Sequence, residues 1–372
     1  MSQTQKIIYA LSILSGTIIG VGIFSLPYIT SRVGILIMLG YFLVLGGLVI
    51  LVTLCFGELS LRTPDFKRLP GFAKIYLGNW GKRIALISTI LGLSGASLAY
   101  LIVGGKFLET LLSPIFGGNN FLYTFIYLIL GAVLIYFGIK AIAKVEFWGF
   151  VLFFITLILI FFRAQSQFLL KTENLFLTSQ GGNLFLPYGA VLFSLWGAAL
   201  IPEVEEALRG RKDLLKKIIP IAILIPILVY LFFIYLILGI TGAQTTESAL
   251  TGLRDFLGDG IVSLGLFFGV LVTLTSFITL GLTLEKVFWY DLKIEKNLAW
   301  LITCLIPFIL FLVGFKDFIG VIGLVGGVML GIDGILILLM YQKIKPRKKF
   351  LIYPLTLIFL AGIIYEIIYF VK

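Results

Sequence analysis

Long apolar runs separated by short polar connections set the pattern of this chain. A helix crosses a bilayer with about 20 predominantly apolar residues. Runs of that length predict eleven membrane-spanning helices, at 7–31, 34–60, 84–112, 121–139, 144–164, 187–208, 218–241, 261–284, 298–313, 317–341 and 350–371. The polar stretches between them stay below roughly 25 residues, well short of the ~50 that a soluble domain needs. In the connection 242–260, Leu250, Leu253, Phe256 and Leu257 share one helical face. That segment reads either as an amphipathic helix over the outer face or as a plain surface loop.

Two of the runs are interrupted alike. The first carries GTIIGVGIFSLP, from Gly16 to Pro27, and the sixth carries WGAALIPEVEE, from Trp196 to Glu206. In each, a proline follows a glycine by five residues, Pro27 after Gly22 and Pro202 after Gly197. Both residue types weaken a helix, glycine through backbone entropy and proline through its missing N–H and ring clash. Loosened backbone at membrane depth is tolerated only where it is buried in protein or lines a cavity. Matched interruptions in two halves point to the substrate site of a secondary transporter. Gly16 and Gly20 by themselves also fit close helix packing, but packing does not account for Gly22 or Pro27. A helix opened near Gly20–Ile23 frees N–H groups at a positive dipole end, which suits a carboxylate. The carbonyls ending the preceding half-helix suit an ammonium group or Na⁺. An amino acid carries both charges on one carbon.

Composition agrees with a polytopic membrane protein. The chain has 372 residues, 60% hydrophobic and 13% charged, against about 45–50% and about 25% in soluble domains. The net charge of +11 is not a nucleic-acid footprint, because the basic residues alternate with the apolar runs. With the N-terminus placed in the cytoplasm, 22 of the 29 Lys and Arg fall in inside connections, as the positive-inside rule expects. They face anionic lipid there, and the C-terminus comes out extracytoplasmic. The expectation is a multi-pass plasma-membrane protein with the bilayer, and no obligate protein, as its partner. The single Lys before a long first run carrying Gly and Pro reads as a retained helix, not a cleaved signal.

The runs group as five, five and one: a first repeat over 1–165, an extracellular hinge at 166–186, a second repeat over 187–345, and an added helix at 346–372. Five is odd, so the second repeat is inverted relative to the first. Histidine is absent, and Cys55 and Cys304 stand alone in apolar runs. That removes histidine acid–base chemistry, histidine metal sites and a disulfide framework. No clustered nucleophile–base set suggests an enzyme, and no ring of repeated residues suggests a channel.

At this point the sequence resembles a known group. GTIIGVGIFSLPY resembles the first helix of the amino acid–polyamine–organocation superfamily. IPEVEE, after a small, aromatic-rich stretch, is similar to the sixth helix of its amino acid/auxin permease and tryptophan/tyrosine permease branches. The resemblance covers essentially the whole chain. It implies an all-α fold with the five-plus-five inverted repeat of the bacterial leucine transporter, broken first and sixth helices, and amino acid uptake driven by Na⁺ or H⁺. It places substrate-backbone contacts on Thr17, Gly20, Val21, Gly22 and Ile23, and on Ser194, Trp196 and Gly197. Ser97 and Tyr100 of the third helix are further candidates for the pocket. Trp196 reads equally as a packing aromatic.

For the ion, the resemblance puts a Na⁺ site on Thr275 and Ser276 with Gly16 and Ile19. The alternative for each hydroxyl is back-bonding to its own helix. Some proton-coupled relatives place a lysine in the fifth helix, and this fifth helix has none in its middle. Glu203 and Asp333 are the candidate proton sites, because an acid within a membrane helix is costly and has a role or a partner. Glu203 also reads as a structural acid, while Glu205 and Glu206 pair with Arg209 by helical spacing. Glu58, Glu109, Glu146, Glu285 and Glu366 sit nearer helix ends, where solvation is easier. No cofactor is expected beyond the coupling ion. The reading is a cation-coupled carrier of a neutral, aromatic or large aliphatic, amino acid working by alternating access. The alternative is an amino-acid-sensing receptor subunit on the same fold, of the spore germinant kind.

Overall fold

The structure, a computed structural model, describes residues 3–63, 68–138, 142–176, 183–208 and 214–371. Its helices are α1 (Gln3–Ile18), α2 (Leu26–Val33), α3 (Ile35–Arg62), α4 (Leu69–Phe116), α5 (Asn120–Phe137), α6 (Ile142–Ser166), α7 (Pro187–Leu195), α8 (Ile201–Ala207), α9 (Leu215–Thr241), α10 (Arg254–Leu257), α11 (Asp259–Lys286), α12 (Lys296–Val313), α13 (Phe318–Leu324), α14 (Gly331–Ile344) and α15 (Lys349–Val371). Among the described residues, ten spans are long and apolar enough to cross a membrane. The pair Gln5–Ile18 and Val21–Val33, bent by 47°, makes an eleventh. The α7–α8 pair forms one of the ten. Leu43, Phe162 and Leu228 are exposed on the outer surface of the bundle, where a bilayer satisfies them.

Helix ends follow local chemistry. The Asn119 side chain accepts from the Leu122 N–H at 3.0 Å and caps α5, which ends on left-handed Gly138. Glu295 caps α12 by accepting from the N–H groups of Asn297 and Leu298. Gly78, at φ 79°, turns α4. The residues before it, Leu69–Leu77, form a short helix in what the hydropathy pattern reads as a connection. Phe72 and Ala73 are fully buried there, so packing made this segment helical.

The basic connections gather at one end of the bundle. Glu58 of α3 receives Lys345 Nζ at 2.6 Å and the Tyr341 hydroxyl at 3.0 Å from α14. Arg68 and Pro70 share a recess with Lys286, Tyr290 and Asp291. We call this the basic end. The segment 242–260 is shorter in helix than an amphipathic helix would be. It has two 3₁₀ turns, Gly242–Gln244 and Leu250–Leu253, then the four-residue α10. Its apolar face nevertheless forms: Leu250, Leu253 and Leu257 are buried. The hinge residues 177–182 and Arg209 lie outside the described residues. Glu205 accepts from Ser60 Oγ of α3.

Two acids expected near solvated ends are buried. Glu285 is 5% exposed and Glu366 is 4% exposed, because helix packing, not distance from a helix end, excludes water from them.

The second repeat is pinned where α7 crosses the π-helical segment Val325–Leu330 between α13 and α14. A methyl group on Gly326 would run into the Gly189 carbonyl, and one on Gly189 into the Gly323 carbonyl. Backbone cannot yield there as a side-chain tip can. Gly326→Ala is expected to lower stability by about 1–3 kcal/mol, read as a lower melting temperature in detergent. Gly47→Ala, at a position with open space around it, is expected to stay within ~0.5 kcal/mol of the parent.

Candidate functional site

Both predicted interruptions are real breaks. α1 stops at Ile18, Gly20 is extended (φ −117°, ψ −156°), and one 3₁₀ turn, Val21–Ser25, leads into α2. Pro27 lies in the first turn of α2, where no N–H is required of it. α7 stops at Leu195 because Trp196 is extended (φ −75°, ψ 112°). A 3₁₀ turn, Ala198–Leu200, then leads into α8, with Pro202 in its first turn. Each proline thus marks the restart of a helix, and the preceding glycine region supplies the gap.

Two tyrosines hold the gaps. The Tyr100 hydroxyl of α4 accepts from the Val21 N–H at 3.1 Å. The fully buried Tyr230 hydroxyl of α9 lies 2.6 Å from the Ile18 carbonyl and 2.7 Å from the Ser194 carbonyl. The carbonyls near the ends of both half-helices therefore converge on one hydroxyl. A hydroxyl has one proton, so it answers only one of them at a time. The glycines are needed for close approach. A methyl on Gly20 would strike the Tyr100 hydroxyl, one on Gly22 would strike Ser194, and one on Gly197 would strike Leu14 and Ile18.

A cavity of about 360 Å³ adjoins the breaks, within the ~300–1,000 Å³ of small-molecule sites. Gly16, Thr17, Gly20 and Gly22 line it from the first broken helix. Ser194, Trp196 and Gly197 line it from the second, and Tyr100 from α4. Trp196 is half-buried and meets Phe359 edge-on at 6.4 Å, so it both lines the cavity and packs. The cavity continues past Ser88 and Thr283 to Arg68, Leu69 and Val287 at the basic end. Away from that end, Phe24 packs edge-on against Phe107, Phe153 and Phe233 at 4.9, 5.8 and 6.0 Å. Beyond the spans, Glu247 has its carboxyl pushed up from the usual range by desolvation and then by Asp317, with Arg32 opposing.

Four of the expected contacts sit differently. Ser97 is buried, is not among the cavity-lining residues, and its hydroxyl has no hydrogen-bond partner among the described residues. The side chains of Val21 and Ile23 are buried, and their N–H groups donate to Tyr100 and to the Gly20 carbonyl. Ile19 is buried with its N–H donating to Ser15 O at 3.1 Å. On α11 the back-bonding alternative describes most hydroxyls. Thr273 donates to Gly269 O, Thr275 to Val272 O and Thr279 to Thr275 O, at 2.8–3.0 Å. Of the four Na⁺ candidates, Gly16 and Ser276 line the cavity, while Ile19 and Thr275 do not.

Both candidate proton acids line the cavity. Glu203, in the first turn of α8, is exposed where it lines the cavity, and Arg68 lines the same cavity. Asp333 is 9% exposed, and its Oδ1 has no hydrogen-bond partner. Nearby, Ser88 donates to Met329 O of the π-helical segment at 2.8 Å. Sequence reasoning missed Tyr230 and Ser88. The available signal was a single hydroxyl within an otherwise apolar run, as in ILIPILVYLFF.

Three substitutions test this geometry. Gly22→Ala is expected to abolish ligand binding by forcing the breaks apart, and Ser194→Gly in the same chain is expected to restore part of it. Isothermal calorimetry of the single and double variants checks the pair. Tyr230→Phe removes the donor shared by the two carbonyls, leaving Ile18 O only its Gly20 N–H at 2.9 Å, and is expected to cost about 1–3 kcal/mol of stability, read as a lower melting temperature.

Comparison with known proteins bears on this site. The tryptophan/tyrosine permease family model matches residues 3–371. The tyrosine-specific transport system 1 of Haemophilus influenzae is 26% identical over 297 residues, covering 75% of this chain and 72% of that protein. Among solved structures, MhsT in complex with L-phenylalanine superposes with a TM-score of 0.66 at 15% identity, covering 95% of this chain and 98% of that one. Mhp1, a nucleobase-cation-symport-1 family transporter, gives 0.63 at 13% identity over 88% and 76% of the two chains. The manganese transporter of Eremococcus coleocola gives 0.63 at 15% identity over 98% and 87%. These likenesses carry the fold, that of the bacterial leucine transporter, and the match along nearly the full length carries the assignment: the chain belongs to the tryptophan/tyrosine permease family.

Proposed function

We propose that this protein imports a neutral amino acid with an aromatic or large aliphatic side chain across the plasma membrane. Transport is driven by a Na⁺ or H⁺ gradient through alternating access, with the N-terminus in the cytoplasm. One observation carries the reading: a cavity adjoins two broken helices whose end carbonyls converge on the Tyr230 hydroxyl. Ile18 O also accepts from the Gly20 N–H at 2.9 Å, while Ser194 O depends on the shared Tyr230 proton; an incoming ammonium group brings three donors to this pair. The carboxylate takes the N–H side of the first break, where the helix dipole favours it. The aromatic preference is supported by the family and by the tyrosine-specific relative. The Phe24 cluster serves as the outer closure, and the basic end is the open, cytoplasmic side.

The choice of ion has support on both sides. Gly16 and Ser276 in the cavity support Na⁺. The unpartnered oxygen of Asp333 and the exposed Glu203 support H⁺. Proteoliposome uptake of labelled tyrosine, tryptophan, phenylalanine and leucine separates these. Uptake under a Na⁺ gradient that Ser276→Ala abolishes assigns Na⁺. Uptake under an H⁺ gradient that Asp333→Asn abolishes assigns H⁺. Absence of uptake of all four under either gradient overturns the proposal.

A further inference from the structure

Glu366 lies outside the cavity and outside both five-helix repeats, on α15. Its Oε1 accepts from the Gly189 N–H at 3.0 Å. Gly189 is the third residue of α7, so this N–H belongs to the first turn, whose donors have no partner within the helix. The carboxyl is enclosed by three glycines on two other elements. A methyl on Gly189 or Gly327 would run into the Glu366 side chain, and one on Gly323 would crowd its Oε2 at 3.2 Å. Three helical segments, α7, α13 with its π-helical extension, and α15, thus close around one carboxyl.

What faces it is neutral. The ionisable groups within electrostatic reach are Tyr41 of α3, Tyr188 of α7, and Tyr365 and Tyr369 of α15 itself. The segment Phe318–Leu330 contributes no ionisable residue. Among the described residues no Lys or Arg pairs with Glu366. An ionised carboxylate here would be answered by one backbone N–H and the end of a nine-residue helix. That offsets only part of the cost of an unpaired charge in a membrane protein's interior. A protonated carboxyl fits the same cradle without that cost.

We propose that Glu366 is a proton-binding site, separate from the substrate cavity, that seats the first half of the second broken helix. Protonated, it locks α7 against α15 and the π-helical segment. Ionised, it calls for water or further donors and loosens that contact. α7 ends at the break beside Ser194 and Trp196, so the proton load at Glu366 sets how firmly one wall of the cavity is held. Glu366 is a positioning residue; it touches no substrate. The inference goes beyond the proposed transport and is independent of which amino acid or ion is carried.

The test uses the full chain in detergent, without substrate. Melting temperature is measured against pH for the parent, Glu366→Gln and Glu366→Asp. The parent is expected to lose stability as pH rises through the titration of this carboxyl. Glu366→Gln, fixed in the neutral shape, is expected to lack that step, and Glu366→Asp to keep a step at a displaced pH. Infrared difference spectra across the same pH range supply a readout that tolerates an unstable variant. A protonated-carboxyl band that disappears from the parent on raising pH, and is missing in Glu366→Gln or shifted in Glu366→Asp, supports the site. An unchanged stability step in Glu366→Gln overturns it. So does a parent spectrum with no protonated buried carboxyl band at acid pH.

Discussion

The Tyr230 hydroxyl lies 2.6 Å from one helix-end carbonyl and 2.7 Å from another, and the geometry around the cavity follows from that arrangement. Carbonyls at the end of a helix have no partner within it, and in a bilayer water does not replace one. Breaking two helices at membrane depth therefore leaves acceptors that must be answered. Tyr230, on a third helix, answers Ile18 and Ser194 in turn with a single proton. This brings the breaks face to face and holds them without filling the gap between them. The arrangement is satisfied enough to be stable and under-supplied with donors, which is the condition for taking up a cationic group.

The packing around the breaks is the consequence. With the ends drawn together, Gly22 must pass against Ser194, Gly20 against Tyr100, and Gly197 against Leu14 and Ile18. A side chain at Gly22 would press on the Ser194 Cβ and Cα, while at Gly20 and Gly197 it would have to displace side-chain tips. Polar and apolar closures then divide the bundle. The Phe24 cluster fills the space away from the basic end, while the cavity runs towards Arg68 and Val287. One conformation of an alternating-access cycle needs this asymmetry, and the proposed function takes the opposite closure as its other state.

The breaks were legible because glycine and proline act locally. Proline fits the first turn of a helix without losing a bond, and with a glycine five residues before it each of Pro27 and Pro202 pointed to a restart; Pro226 and Pro307, which lack that glycine, sit inside helices. Span number was legible for the same reason, since apolar length is a local property. What stayed hidden depends on partners distant in sequence. Ser97 and Tyr100 are three residues apart on one helix, and only Tyr100 reaches the cavity. Residues three apart share a helical face, so periodicity could not separate the long side chain that reaches the cavity from the short one that does not. Tyr230 is 212 residues from Ile18, and the lone hydroxyl in its apolar run marks a buried polar group without saying which carbonyls it meets. Glu366 was misplaced by the rule that acids near helix ends are solvated. Three glycines on other elements bring the backbone over it, and only the folded chain shows that.

In the proposed function the tied helix ends hold a zwitterion. An experimental structure of the full chain with bound L-tyrosine tests this most directly. The ligand's ammonium is expected within hydrogen-bond distance of the Ile18 or Ser194 carbonyl, and its carboxylate against the backbone near Gly22. A ligand bound elsewhere, with Tyr230 still bridging both carbonyls and the gap between the breaks empty, would contradict it.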